Sequence, residues 1–154
     1  MTDARKRKDH ATRIDIPMPS LTLPPMRDIR ATITVPIFNV TVKLAIVDDA
    51  PKEMERLWRY TGGQEMQAGW AAAVFQCANR FALVGHRDQC SDDVIAHELY
   101  HLTNGILAMN NIEIDADDDE VGALLTQYLH SWVWKQIKKH APLDRKQKAA
   151  KVSG

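Results

Sequence analysis

Cysteine is scarce in this 154-residue chain, and its absence from paired positions is informative. There are two, Cys77 and Cys90, and no C-x-x-C. That excludes a cysteine zinc ribbon and argues against a disulfide framework. Long apolar runs are missing too, so no stretch has the length of a membrane span. The first residues are polar and basic and lack the apolar core of a signal peptide. Together these absences lead to the expectation of a cytosolic protein with reduced thiols and no membrane partner. No internal repeat is visible. An excess of one charge is also missing, because 20 basic and 20 acidic side chains cancel. The cancellation is global rather than local: residues 15–134 carry 8 basic and 17 acidic side chains, whereas both ends are basic. An acidic body suits a cation site and repels nucleic acid, so a nucleic-acid partner is not expected beyond contacts made by the basic ends.

The chain length allows one domain with a real core. We expect a basic, proline-rich arm over 1–26, a single domain over 27–140 and a basic tail over 141–154. Pro17, Pro19, Pro24 and Pro25 make the end of the arm extended rather than helical. Ile33, Val35 and Ile37 alternate, and then Phe38, Val40, Val42, Leu44 and Ile46 alternate on the opposite parity. The switch just after Pro36 predicts a bulge, a bend or a tight crossing between two strands. Pro51 opens a helix of about ten residues that Gly62-Gly63 closes. Trp70–Cys77 and Phe81–Gly85 read as a hairpin, and either strand could be a sheet edge.

The chemistry concentrates in His97-Glu98-Leu99-Tyr100-His101, an H-E-x-x-H pattern. Residues four apart on a helix sit one above the other, so both imidazoles can reach one metal ion. Glu98 falls about 100° round from His97, where it can serve as base for a metal-activated water. Ser91 is a natural N-cap, and Asp92 and Asp93 suit the helix N-terminus. Ile95, Leu99, Leu102 and Ile106 form the apolar face. His97, His101, Asn104 and Ala108 form a separate stripe, edged by Gly105. That stripe is open enough for a second element to approach closely.

A catalytic zinc usually takes three protein ligands and keeps one position open. Leu107 stands where a metzincin would place its third histidine. Downstream, Asp115-Ala116-Asp117-Asp118-Asp119-Glu120 leads into a helical pattern whose apolar face is Val121, Leu124, Leu125, Tyr128 and Trp132. Gly122 and Ala123 would let that helix lie close to the histidine stripe. HELYH followed by E-V-G-A resembles the gluzincin branch of zinc peptidases, in particular the small ImmA/IrrE-type members, over about residues 70–135. The resemblance implies a small α+β zincin-like domain with a short antiparallel or mixed sheet, an HExxH helix and a following ligand-bearing helix. It implies zinc held by His97, His101 and Glu120, with Glu98 as catalytic base. Asp117, Asp118 and Asp119 are alternatives to Glu120.

The expected activity is zinc-dependent hydrolysis of peptide bonds in a protein or peptide substrate. His86 and Tyr128 are candidate stabilisers of the oxyanion. Two other readings compete: a zincin-fold binding or regulatory module with little turnover, and a metal-dependent hydrolase of a non-peptide bond. Glu98 favours an enzyme, because a structural zinc site needs no base.

Overall fold

A computed structural model describes residues 26–113 and 119–141. The arm from 1 to 25, the tail from 142 and the acidic residues Asp115, Asp117 and Asp118 lie outside the described residues.

Strand β1 (Ile29–Val35) and strand β2 (Val40–Val47) form an antiparallel hairpin in which Val35 faces Val40. A single 3-10 turn, Pro36–Phe38, joins them, and Asn39 closes it in the left-handed region at φ 49°. This tight crossing accounts for the parity switch after Pro36. Helix α1 (Ala50–Arg56) follows, then α2 (Trp58–Thr61). Asp49 caps α1 by accepting from the Lys52 amide, and Gly62 ends α2 at φ 63°, a conformation that favours glycine. The ten-residue helix read from sequence is thus two pieces, broken at Leu57.

Strand β3 (Ala72–Cys77) and strand β4 (Arg80–His86) make the second hairpin. Helix α3 (Asp92–Met109) and helix α4 (Glu120–His140) complete the fold. The sheet order is β1-β2-β4-β3, with β2 and β4 parallel and the other pairs antiparallel. The fold is therefore α+β with a small mixed sheet. β3 is the edge strand on the α3 side; Phe81–Gly85 is internal.

Alternation along the strands divides the core in two. Val40, Val42, Leu44, Ile46, Phe81 and Leu83 face α3 and α4. Ala45, Val47, Ala73, Phe75, Ala82 and Val84 face α1 and α2. Gly105 seats α3 on the sheet: a Cβ there would lie 2.8 Å from the buried Phe81 ring. The small residue beside the histidine stripe therefore admits a sheet phenylalanine, not a second helix.

Two sequence expectations change. Met26, assigned to the arm, is buried in the main core. The buried row of α4 is Leu125, Leu129, Val133 and Ile137, while Val121, Leu124 and Tyr128 are exposed. Of the expected face, Leu125 is buried and Trp132 packs partly against the core; the i, i+4 row from Leu125 wins because it extends along the whole helix.

Candidate metal centre

α3 carries both histidines on its solvent side because its other sides are taken. Ile95, Leu99, Leu102 and Ile106 are fully buried beneath it. Ser91 occupies the N-cap position, yet its hydroxyl bonds the Asp93 carboxylate instead of a backbone amide. The first turn retains Asp92 and Asp93, which complement the helix dipole.

The His97 and His101 Nε2 atoms lie 3.0 Å apart, with ring centres at 4.6 Å. Two ligands on a tetrahedral zinc, at bonds of roughly 2.0–2.1 Å, hold their nitrogens about 3.3 Å apart. The pair is therefore within a few tenths of an ångström of a chelating separation. At 3.0 Å the two nitrogens can share one proton or one cation, but two facing N–H groups would clash. This donor pair fits zinc.

Both rings open into a cleft of about 760 Å³ that also receives Glu98. Its walls are α3, through Asp93, Val94, His97, Glu98 and His101, and the segment from Gly69 to Val74. Glu98 is buried, and burial pushes its carboxyl above the usual carboxylate range. His97, His101 and the Val74 amide, which donates to the carboxylate, pull it back down. The base thus faces the edge strand and lies between water and the apolar core.

The Val74 contact reveals the orientation of β3. Its amide points off the sheet towards Glu98. Ala71, of opposite parity, turns inward and accepts the His86 amide at 2.8 Å. By the two-residue period, Ala72 and Val74 direct their backbone groups into the cleft.

The other candidate residues are elsewhere. Glu120 is exposed at the first position of α4, and Asp119 is the N-cap before it. Among the described residues no three His, Cys, Asp or Glu side chains converge on one point. The physical reason is the flank that α4 uses. The Thr126 hydroxyl meets that of Thr103 at 3.0 Å. Thr103 is about 140° round α3 from the histidine stripe at 3.6 residues per turn. The expected close approach of Gly122 and Ala123 to that stripe does not occur. Tyr128, on the same helix, is exposed and does not line the cleft. His86 shares parity with Ala82 and Val84, so it faces the α1–α2 side of the sheet and is not in the cleft wall. Tyr100 is exposed, with its ring edge-on to His101 at 5.9 Å.

Sequence reasoning missed Trp70 and Asp93 as cleft residues. Asp93 is one turn before His97 on the same stripe, a spacing that could have placed it there. No protein family model, curated protein or solved structure matches the chain. No helix among the described residues is long and apolar enough to cross a membrane.

Proposed function

We propose that this protein is a zinc-dependent metallopeptidase of zincin-like type, acting on peptide segments in extended conformation. One observation carries the reading: the His97 and His101 nitrogens, 3.0 Å apart, open into the same cleft as the buried Glu98 carboxyl. His97 and His101 would hold the metal. A bound zinc ion would supply Lewis acidity, polarising a carbonyl and making water a usable nucleophile near neutral pH. Glu98 accepts the proton from that water as it attacks the carbonyl carbon. The same carboxyl then delivers the proton to the leaving amine as the C–N bond breaks. Burial suits Glu98 to its task, since a raised carboxyl is a stronger base towards that water, and one poised nearer the working pH can still hand the proton on.

The peptide preference rests on β3. Its outward backbone groups at Ala72, with the Val74 carbonyl, can pair with an extended chain, as an added strand pairs with a sheet edge. Trp70 stands at the end of this wall and offers a broad apolar surface to a substrate side chain.

Glu98→Gln tests the reading. It keeps the side-chain shape and removes the base, so the variant should bind zinc like the parent and lose peptide cleavage by at least 100-fold. Undiminished cleavage by this variant would refute the mechanism. A zinc-loaded parent protein that cleaves no member of a diverse peptide library would refute the peptidase assignment.

A further inference from the structure

The acidic body conceals a basic strip on the sheet face opposite the cleft. We propose that this strip binds the phosphate chain of a single-stranded nucleic acid.

Arg30, Lys43 and Arg80 share that face with Ala45 and Ala82, as strand register and parity require. Arg30 pairs with Ala45; Lys43 is two residues before Ala45 on β2 and pairs with Ala82; Arg80 is two residues before Ala82 on β4. Each step crosses one strand and advances two residues. With strands about 4.8 Å apart and roughly 3.3 Å per residue, successive positions are about 8 Å apart. The three cations thus form a diagonal line across three strands. Thr32, Thr34 and Thr41 lie beside it on the same face and supply hydroxyl donors.

Tyr60 of α2 sits at the middle of the line. The Lys43 ammonium is 5.6 Å from its ring centre, and the Arg80 guanidinium is 6.0 Å away. Neither has a carboxylate in ion-pair range among the described residues. At the upper end, Arg30 and Arg56 share the buried carboxylate of Glu53, at 2.9 and 3.0 Å. Arg30 also meets the Asp28 carboxylate at 3.2 Å, so two carboxylates balance these two guanidinium groups, and the uncompensated charge of the strip is that of Lys43 and Arg80. Arg30, Lys43 and Arg56 line a recess of about 330 Å³ between the sheet and α1.

The shape selects the occupant. α1 and α2 pack on this same face, so the strip is a step at the foot of a helical wall. A linear polyanion can lie along that step, whereas a flat bilayer would meet the helices first. Cations spaced along a line, with hydroxyls and an aromatic ring between them, suit a phosphate chain whose bases have a ring to stack on.

The test uses the full chain, a fluorescein-labelled 12-nucleotide single strand and anisotropy titrations from 50 to 200 mM salt. Lys43→Gln combined with Arg80→Gln should weaken binding about tenfold. It should also reduce the slope of log K against log salt by about 1.4, at 0.7 per cation for a single strand. Thr34→Glu, an exposed substitution diagonal to Lys43 on the same sheet face that removes nothing from the core, should weaken binding independently. Unchanged affinity in both variants would overturn the proposal and assign any binding to the basic ends. Equal affinity for a 12-base-pair duplex would overturn the single-strand assignment. Binding to phosphatidylserine vesicles or poly-glutamate, without oligonucleotide binding, would also overturn it and identify a different anionic partner.

Discussion

Replacing His97 by alanine separates a metal site from a pair of surface histidines that happen to touch. His97 is exposed on α3, so its removal leaves no cavity. Alanine is also the better helix former, by up to about 0.7 kcal/mol. Without metal, the melting temperature of the variant should therefore match or slightly exceed that of the parent. With zinc at 100 times its dissociation constant, a native-state ligand stabilises the parent by about 2.7 kcal/mol. A chain of this size gains roughly 2–4 °C per kcal/mol, so the expected rise is about 5–11 °C. His97→Ala removes one of the two nitrogens that stand 3.0 Å apart. If affinity falls 100-fold, the same zinc concentration stabilises by only about 0.4 kcal/mol, a shift of about 1 °C. His130→Ala is the matched control. His130 is an exposed helical histidine on α4 whose ring accepts a hydrogen bond from Trp134 at 2.7 Å, and it should keep the full zinc response. Thermal melts of the three proteins with zinc and with chelator decide the matter. An equal zinc-dependent rise in parent and His97→Ala would refute the metal assignment.

Three further outcomes follow from the packing. Glu120→Ala should change zinc affinity by less than about threefold, because α4 packs on the flank of α3 away from the histidines; a tenfold loss in a zinc competition titration would show that its first turn reaches the metal. Gly105→Val should cost about 1–3 kcal/mol and lower the melting temperature, since even its Cβ would fall 2.8 Å from a Phe81 ring that has no room to retreat; an unchanged melt would mean α3 is not seated on β4 as described. In the native protein at pH 8, iodoacetamide should label Cys77 and spare Cys90. Burial pushes the Cys90 thiol up to about 12, and only the thiolate reacts, so raising the pH towards that value should begin to expose its reactivity. Peptide mapping by mass spectrometry reads this directly, and comparable labelling of both at pH 8 would contradict the buried placement.

The legible parts of the molecule were those in which one local rule acts without competition. Pro36 cannot continue a strand ladder, so the parity change around it marked the β1–β2 turn. The H-E-x-x-H spacing marked a common face on α3, because helical geometry fixes residues four apart whatever surrounds them. The choice of edge strand was not legible, since β3 and β4 have similar apolar patterns and differ only in which neighbour each finds. The flank of α4 was not legible either. Val121, Leu124, Leu125 and Tyr128 make a plausible face over two turns, and only the longer row from Leu125 to Ile137 decides which side is buried. Glu120 rests on the E-V-G-A resemblance rather than on either row.

Charge shows the same limit in another form. Averaged along the sequence, the body is acidic, and averaging cannot see that Arg30, Lys43 and Arg80 reach one sheet face from three separate strands. The acids are distributed differently. Asp28, Asp48 and Asp88 converge on Arg87 beyond the end of β4, where they tie β1, β2 and β4 together. Glu53 and Asp28 both reach the basic strip and pair with Arg30, so its uncompensated charge rests on Lys43 and Arg80. The sheet therefore separates two electrostatic environments. On one side, a buried carboxyl and two imidazoles line one cleft. On the other, Lys43 and Arg80 stand without a carboxylate partner among the described residues, beside the Arg30–Glu53–Asp28 cluster. A ligand bound on one face would leave the other accessible, so zinc loading and oligonucleotide binding should be additive when measured together on the same chain.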